Sequence, residues 1–378
     1  MFILRIISQD IEFKITTGSK VIIVYGPRQV GKTTMVKAIV ESLSLKTLSI
    51  NGDEQKYVDV LSSRDFQKLK NLVSGYELLF IDEAQRISDI GINLKILADK
   101  LPSLKIIATG SSSFDLANKI AEPLTGRTWT YTLYPISFLE LQQMNNPFEL
   151  RAQLEERLVY GSYPEIFSLE NFEIKRQYLE QISDSYLYKD ILELSSIKHS
   201  SKIRDLLKLL AFQIGNEVSI AELATQLGLS QSAVGNYIDL LEKSFVVFRV
   251  GGFSRNLRKE VTKMDKIYFY DLGIRNIVID NMKDLKSRND CGQLWENFLI
   301  AERMKLLHYK KIPATQYFWR VHTGAELDYV EEREGGLFGY EFKWGNKKAR
   351  APHTWLETYD NSQFSAYSAD NFLEFITG

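Results

Sequence analysis

The chain has 378 residues, which is enough for two or three domains at the usual size of about 100–200 residues each. Its formal net charge of −1 gives no global reason to expect a nucleic-acid partner, so any such surface must come from local clustering. The single cysteine, Cys291, excludes an internal disulfide and a cysteine-based zinc cluster. No apolar run reaches the roughly 18 residues of a membrane-spanning helix, and the apolar start is too short for a signal peptide. We therefore expect a soluble cytoplasmic protein.

Short apolar strands alternate with helices in the first part of the chain. Residues 1–16 are interpreted as an edge strand or a short lead-in helix, and VIIVY predicts a strand that starts at 21. Helices are predicted at 34–44, 64–74 and 90–100, and further strands at 46–51, 77–82, 104–109 and 128–133. This alternation predicts an α/β domain with a parallel sheet covered on both faces.

A glycine-framed loop, GPRQVGKTT at 26–34, joins the first strand to a helix and matches G-x-x-x-x-G-K-[ST]. Its glycines let backbone N–H groups point at phosphate oxygens, and the following helix adds its positive dipole end. Lys32 is predicted to reach the β- and γ-phosphates of ATP, and Thr33 to bind Mg²⁺. The alternative is a glycine turn before a helix. The predicted nucleotide-binding residues of this loop are Gly26, Pro27, Arg28, Gln29, Val30, Gly31, Lys32, Thr33 and Thr34.

A second apolar strand, in LLFIDEAQ at 78–85, ends in two carboxylates. Asp82 is predicted to bind Mg²⁺ directly or through a ligand of the ion. Glu83 lies one step beyond, where a carboxylate can orient and deprotonate a water that attacks the γ-phosphate. Because a phosphotransferase with the same loop would not need this base, Glu83 favours hydrolysis. The alternative for both residues is a solvated turn after a strand.

A cluster of hydroxyl groups, TGSSSFDL, begins at the end of the 104–109 strand. The carboxyl end of that strand is expected to face the nucleotide. Thr109 and Ser111 are therefore candidates for polar sensors that touch the γ-phosphate or the attacking water. They also suit an N-cap series for the next helix, and the two roles are compatible.

Six segments together resemble one family: GPRQVGKTT, FIDEAQ, TGSSS, LTGR at 124–127, YPISFLEL at 134–141 and YGSYPE at 160–165. They resemble the AAA-type ATPases, widespread in prokaryotes, that carry a carboxyl-terminal domain long labelled as of unknown function. The resemblance implies a P-loop ATPase core that uses ATP and Mg²⁺. In similar ATPases an arginine completes the active site, often from a neighbouring subunit, and Arg127 is the matching position. This implies an arginine finger in a homo-oligomer; the alternative is a structural arginine that caps a helix.

The rest of the chain predicts three further parts after an ATPase core at 1–150: a helical lid and connector at 151–210, a winged helix at 211–285 and a nuclease-like domain at 286–378. The winged helix is predicted from a helix that ends at Gly228, a second helix capped by Ser230, and a wing strand at 245–250. Seven apolar positions are expected to form the core of the two helices: Ile220, Leu223, Ala224, Leu227, Val234, Ile238 and Leu241. The segment 266–275 also matches the family, and a structural role is expected for its Asp271.

Positive charge concentrates at 251–266, which suits contacts to DNA phosphates. The cations are Arg255, Arg258, Lys259, Lys263 and Lys266. The second helix of the winged unit offers polar residues but no arginine before Lys243, so specific base reading is not expected. DNA contact and packing against another domain both stay open.

The last ninety residues or so contain a second chemical constellation, in which a helix carries Glu296, a strand carries Asp328, and a further strand presents Glu341 and Lys343 on one face. This order resembles the PD-(D/E)xK nuclease superfamily, a restriction-endonuclease-like α/β fold. The resemblance implies that Asp328 and Glu341 hold Mg²⁺, that Glu296 completes its shell, and that Lys343 orients water or stabilises charge. The alternative is a solvent-facing strand edge with alternating charge.

Two hypotheses of different class follow. The first is a Mg²⁺-dependent ATPase whose nucleotide state moves a winged helix and a nuclease-like domain relative to DNA. The second is an ATP-controlled binding switch with an inactive nuclease-like domain and a protein partner. A third interpretation makes the carboxyl-terminal domain an oligomer contact.

Overall fold

The computed structural model describes residues 3–111, 124–184, 200–254, 264–321, 324–345 and 349–378. The chain divides into two compact units. The amino-terminal unit is Phe2–Pro135 with Lys243–Phe245, and the carboxyl-terminal unit is Ile136–Glu242 with Val246–Gly378. Within the described ranges, no helix is both long enough and apolar enough to cross a membrane.

The amino-terminal unit is built on five parallel strands in the order β2-β3-β4-β1-β5. Their bounds are β1 Val21–Tyr25, β2 Thr47–Asn51, β3 Leu78–Asp82, β4 Lys105–Thr109 and β5 Thr128–Thr132. All five residues of β1 are buried, as are the first four of β3, because a parallel sheet is covered on both faces. The predicted parallel sheet is confirmed.

Five helices accompany this sheet: α1 Ile7–Thr17, α2 Lys32–Leu43, α3 Gln55–Leu61, α4 Phe66–Leu72 and α5 Ile90–Lys100. The chain leaves β1 for the far edge and then returns strand by strand, and parallel crossovers are right-handed. This places α2 on one face and α3, α4 and α5 on the other. Consistently, α1 packs on α2, and α4 packs on α3 and α5. The segment interpreted as a strand or a helix is thus the helix α1, and α3 was not predicted.

Eleven further helices are seen in the described residues after Pro135. They are α6 Phe138–Leu141, α7 Pro147–Ala152, α8 Leu154–Tyr160, α9 Phe172–Ile182, α10 Ser200–Phe212, α11 Ile220–Leu227, α12 Gln231–Lys243, α13 Leu272–Val278, α14 Cys291–Tyr309, α15 His353–Thr358 and α16 Phe372–Thr377. Side-chain caps explain several starts: Ser137 and Asn146 each form a reciprocal capping box with the glutamate three residues later. Residues 151–184 are largely helical, and the role of 151–210 as a lid and connector stays a prediction.

The helices α11 and α12 form the predicted helix-turn-helix. Ser219 accepts a hydrogen bond from the Glu222 N–H at the start of α11, and Gly228 ends that helix in the left-handed region at φ 63°. Ser230 accepts from the Ala233 N–H at the start of α12. Six of the seven predicted core residues are buried. The exception is Ile220, the first residue of its helix, which is 40% exposed.

One seven-stranded sheet runs through the carboxyl-terminal unit in the order β12-β11-β10-β9-β7-β8-β6. The strands are β6 Glu217–Val218, β7 Val247–Gly252, β8 Asp265–Phe269, β9 Thr315–Arg320, β10 Glu326–Arg333, β11 Gly336–Phe342 and β12 Ser362–Tyr367. The strand β7, which the sequence predicts as a wing, pairs with β8 antiparallel and with β9 in parallel, the latter through Gly251 and Gly252. The strands next to the helix-turn-helix, β6 to β8, and the strands of the last hundred residues or so, β9 to β12, therefore belong to one sheet and not to two separate sheets.

Two segments of the chain approach each other closely, and they contain the motifs YGSYPE at 160–165 and YDLGIR at 270–275. Asp271 caps α13 by accepting from the Ile274 N–H, and its other oxygen accepts from the Ser162 N–H at 2.6 Å. A Cβ atom on Gly161 would lie 2.0 Å from the Asp271 carboxylate, and the φ of Gly161 is +72°. Asp271 thus ties α13 to the segment after α8, which agrees with the expected structural role.

Candidate functional site

The phosphate-binding loop of the sequence has the expected backbone curl. Gly26 lies at φ +146°, and a Cβ atom there would meet the Leu133 carbonyl oxygen at 2.1 Å. Gly31 lies at φ +92° immediately before α2, so the loop ends at the amino terminus of a 12-residue helix. Gln29 also has a positive φ, 59°. These conformations turn the loop around the helix end, where backbone N–H groups and the helix dipole attract phosphate.

Lys32 is buried against the loop that precedes it. Its Nζ donates to the carbonyl oxygens of Gly26 at 2.8 Å and Pro27 at 2.7 Å. The ammonium group therefore lies within the curve of the loop, where it is predicted to meet the phosphates. Val30 is fully buried, so its side chain packs in the core and only its backbone is available to a nucleotide. Thr34 is exposed.

Asp82 is held by two threonine hydroxyl groups from neighbouring elements. Thr33 Oγ1 donates to Asp82 Oδ2 at 2.7 Å, and Thr109 Oγ1 donates to Asp82 Oδ1. The structure thus brings together three residues that the sequence assigned to the site, from α2, β3 and β4. A carboxylate and a threonine hydroxyl at hydrogen-bond distance are the oxygen donors that Mg²⁺ prefers, so this pair fits the ion.

Glu83 has an unusual backbone for a residue with a side chain. Its φ is 51° and its ψ 43°, in the left-handed region, which costs about 1–2 kcal/mol for a residue other than glycine. Gly52 approaches closely here, since a Cβ atom on it would lie 2.5 Å from the Glu83 carbonyl oxygen. Such strain concentrates at functional positions.

Gln85 joins Glu83 to Ser111. Its Nε2 donates to Glu83 Oε2 and, at 3.1 Å, to Ser111 Oγ, and Gln85 is 8% exposed. Ser111 therefore lies beside the predicted base, and Thr109 beside the predicted Mg²⁺ ligand. The helix that these hydroxyls would cap in the alternative interpretation falls at 112–123, outside the described residues.

Two residues that sequence reasoning missed support this site. The first is Gln85, the last residue of LLFIDEAQ, to which the sequence pattern assigns no role. Arg5 is buried and donates through Nη1 to the Val30 carbonyl at 2.7 Å and through Nη2 to the Tyr134 carbonyl at 2.5 Å. It thereby clamps the phosphate loop to the segment after β5. A lone arginine in the apolar run MFILRII was the available signal, because a buried charge requires partners.

Arg127 lies at the other end of the sheet from the loop. The Val21 N–H donates to its carbonyl oxygen, so Arg127 is at the amino-terminal edge of β1, whereas the loop follows the carboxyl end of β1. Five strand residues separate these edges by about 16 Å. Its Nε binds Asp99 at 2.7 Å on the surface. A role at the nucleotide of its own subunit is therefore excluded by distance, and the predicted role between subunits stays a prediction.

A cavity of about 610 Å³ lies in the carboxyl-terminal unit and is lined by three of the predicted residues, Glu296 from α14, Asp328 from β10 and Lys343 after β11. Glu341 does not line it, but accepts a hydrogen bond from Lys343. Asp328 Oδ2 accepts from the Phe342 N–H at 2.7 Å. Burial, and then the charges of Glu296 and Glu341, raise the pKa of Asp328 to about 8.

Lys266 also lines this cavity, and its contact with DNA phosphate stays a prediction. The side chain of Lys266 is 11% exposed, and its Nζ donates to Glu296 Oε1 at 3.0 Å. The Tyr268 hydroxyl donates to the same oxygen at 2.6 Å. Burial disfavours the charged form of Lys266, but Glu296 and Asp328 outweigh it and raise the pKa of Lys266. The other four cations of the cluster lie outside the described residues.

The acidic side chains of this cavity do not converge as a metal site would. Among the residues that the structure describes, no group of three histidine, cysteine or acidic side chains is arranged to hold a metal ion. Glu296 is bound to Lys266 and Tyr268, and Glu341 to Lys343. In this conformation the donor set does not fit Mg²⁺, because Glu296 and Glu341 would have to leave their lysine partners to bind the ion.

Comparison with known families agrees with the amino-terminal fold. A family described as an AAA domain matches residues 18–142. Two families described as domains of unknown function, DUF8612 and DUF4143, match residues 151–285 and 291–372. With its parallel sheet and phosphate loop, the amino-terminal part of the chain is an AAA-type P-loop ATPase domain.

Relatives match along most of the chain. The uncharacterized protein Rv2008c of Mycobacterium tuberculosis is 30% identical over 327 residues, which are 85% of this chain and 70% of that protein. The chain belongs to the family of that protein. The uncharacterized protein MJ1544 of Methanocaldococcus jannaschii is 26% identical over 366 residues, 91% of this chain and 80% of the relative.

Solved structures show weaker similarity. The Walker-type ATPase of Pyrococcus abyssi has a TM-score of 0.48 and 17% identity, over 72% of this chain and 94% of its own. A variant of RuvB from Thermotoga maritima has a TM-score of 0.34 and 14% identity, over 65% of this chain and 88% of its own. Both scores are below 0.5, and the family assignment rests on the sequence matches.

Proposed function

We propose that this protein is a Mg²⁺-dependent ATP hydrolase. The observation that carries the proposal is the meeting of Thr33, Asp82 and Thr109 beside the phosphate loop, with Glu83 one residue beyond. The two hydroxyl groups donate to the two oxygens of Asp82 and fix the carboxylate beside Thr33, the other predicted Mg²⁺ ligand. Glu83 has a left-handed backbone and accepts a hydrogen bond from the buried Gln85 amide, which links it to Ser111 after β4.

Each residue has a separate part in this proposal. The loop N–H groups and Lys32 bind the phosphates, and Thr33 with Asp82 would hold Mg²⁺, which neutralises phosphate charge when bound. Glu83 accepts the proton of the attacking water. Thr109 orients Asp82, and Ser111 supports the side chain next to Glu83. Arg127 acts on the nucleotide of a neighbouring subunit in a homo-oligomer.

Phosphate release from ATP tests the proposal, measured with Mg²⁺ and with excess EDTA, beside a direct measurement of ATP binding. We expect turnover only with Mg²⁺, and loss of both binding and turnover in Lys32→Ala. Lys37→Ala, on the same helix, is the matched control and should behave as wild type. A wild-type protein that binds ATP and releases no phosphate would contradict the proposal.

We further propose that ATP hydrolysis is coupled to DNA through a winged helix and a nuclease-like fold. Support comes from the helix-turn-helix with its adjoining strands, and from the positions of Glu296, Asp328 and Glu341 on the helix and strands that the superfamily resemblance requires. Replacing Arg255, Arg258 and Lys259 together should weaken DNA binding for every sequence tested. The log–log salt slope should flatten by about 0.9 for each phosphate that the variant no longer neutralises, and an unchanged slope would contradict a DNA role for these cations.

A second candidate is an ATP-controlled binding switch with an inactive nuclease-like domain and a protein partner. The specific observation in its favour is that Glu296 and Glu341 are each paired with a lysine. A plasmid-nicking assay with Mg²⁺ or Mn²⁺ separates the two. Nicking that Asp328→Ala abolishes supports DNA processing, whereas ATP-dependent binding without nicking supports the switch.

A further inference from the structure

Gln85 occupies a buried position between two residues of the ATP site. It belongs to a single helical turn, Ala84–Arg86, directly after β3, and it is 8% exposed. Its amide nitrogen donates both to a carboxylate oxygen of Glu83 and to the Ser111 hydroxyl. An amide nitrogen carries two hydrogens, so both bonds can be made at once.

The orientation of this amide follows from its neighbours. A carboxylate accepts hydrogen bonds and cannot donate them, so only the nitrogen side of the amide is compatible with Glu83. Both hydrogens of that nitrogen are used in the bonds to Glu83 and Ser111, so neither is left to bind the attacking water. Gln85 therefore has the geometry to act through Glu83, not on the attacking water.

The Glu83 side chain would otherwise have several rotamers available. The left-handed backbone of Glu83 fixes only where its side chain starts. A donor on Oε2 restricts the carboxylate to the rotamers that keep this hydrogen bond. Ser111 anchors this donor to the carboxyl end of β4, the strand that also supplies Thr109.

We propose that Gln85 is a positioning residue that fixes the Glu83 carboxylate for proton abstraction from water, through a bridge to Ser111. This inference rests on the proposed hydrolytic function. It assigns no contact with ATP to Gln85. Its consequence is that loss of the amide slows the chemical step and leaves nucleotide binding intact.

Gln85→Met tests this, because methionine has a similar length and fills the buried space without hydrogen-bonding to a carboxylate. We expect kcat to fall about 10- to 100-fold, the range of a hydrogen bond to a charged group, with the Kd for ATP changed less than about twofold. Gln55→Met is the matched control, since Gln55 donates to the Asp59 carboxylate on an exposed surface, and it should keep the wild-type kcat. Weakened ATP binding in Gln85→Met would instead indicate a general structural role and overturn the inference.

A double-mutant cycle with Glu83→Gln separates positioning from an independent role. Under single-turnover conditions, Gln85→Met should cost less than about twofold once Glu83 is already glutamine, because the residue it positions is gone. A further tenfold loss in that background, or a wild-type kcat in Gln85→Met alone, would overturn the inference. If the wild-type protein itself releases no phosphate, the proposed function fails and the inference with it; an active wild type beside an equally active Gln85→Met rejects the inference alone.

Discussion

Replacing Thr109 by valine removes one of the two hydroxyl groups that hold Asp82. Valine has nearly the same shape as threonine, and Thr109 is fully buried, so the change opens no cavity. Asp82 Oδ1 then loses its Thr109 donor, while Thr33 still donates to the other oxygen. The carboxylate becomes free to rotate, and we expect a weaker hold on Mg²⁺.

The size of the effect follows from the burial of Asp82. A hydrogen bond to a charged acceptor contributes about 1.5–3 kcal/mol. Because Asp82 is half-buried, water can replace part of the lost bond, and the lower end of that range applies. Since about 1.4 kcal/mol is a factor of ten, the Mg²⁺ concentration for half-maximal ATP hydrolysis should rise about tenfold.

The assay is a Mg²⁺ titration of phosphate release at saturating ATP. Thr47→Val is the matched control, because the Thr47 hydroxyl donates to the Leu45 carbonyl away from the phosphate loop. The control should keep the wild-type Mg²⁺ dependence. An unchanged Mg²⁺ dependence in Thr109→Val would refute the reasoning that Thr109 serves the ion through Asp82.

Three further changes test other parts of the molecule. Arg127→Ala should slow hydrolysis without weakening ATP binding, and mixing it with Lys32→Ala should restore turnover; no rescue would leave Arg127 a surface residue paired with its neighbour. The described conformation of the carboxyl-terminal cavity does not fit a metal ion; if Glu296 and Glu341 release their lysines and a metal enters, Asp328→Ala should abolish Mn²⁺ binding, whereas Lys343→Ala should keep it because an ammonium group is not a metal ligand. Absence of Mn²⁺ binding to the Lys32→Ala protein with the cavity residues unchanged, measured by calorimetry at millimolar ion, would reject a metal site there. Arg5→Met should lower the free energy of unfolding in urea by about 3 kcal/mol, since two buried hydrogen bonds to backbone carbonyls are removed; a change below about 0.5 kcal/mol would contradict the clamp.

The amino-terminal sheet could be predicted because parallel strands buried on both faces are continuous apolar runs. The runs VIIVY and LLFI predict strands without any knowledge of the strands they pair with. The strands they form lie within a residue of the predicted bounds. The helix α3 was not predicted because Leu61 is its single buried residue, and one buried position cannot show the 3.6-residue period of a helix. Local pattern thus predicts an element only where burial repeats.

The sheet of the carboxyl-terminal unit depended on pairings that no local pattern encodes. The strand β7 pairs in parallel with β9, where Gly251 and Gly252 lie opposite Tyr317 and Phe318. More than sixty residues of chain separate these partners. The same long-range pairing places β8 beside the cavity and turns Lys266 inward to Glu296. From sequence, Lys266 was one cation in a basic stretch, and its ion pair required the fold.

In the ATP site too, some residues could be assigned from the sequence and others only from the fold. Thr33 and Asp82 could be assigned because their spacing after strand and loop is set by the chemistry of phosphate and Mg²⁺. Gln85 and Arg5 act by hydrogen bonds to residues on other elements, Ser111 in one case and Tyr134 in the other. Such contacts follow from the packing of the elements and not from the motif.

The role of Glu83 as the base of an ATP hydrolase is tested by Glu83→Gln. ATP binding and phosphate release are measured on the same preparation, because the substitution keeps the size of the side chain and removes only its basicity. If Glu83 has this role, we expect an unchanged Kd for ATP and a kcat lowered about 10²- to 10⁴-fold, the usual contribution of a general base. A Glu83→Gln protein that hydrolyses ATP at the wild-type rate would contradict it.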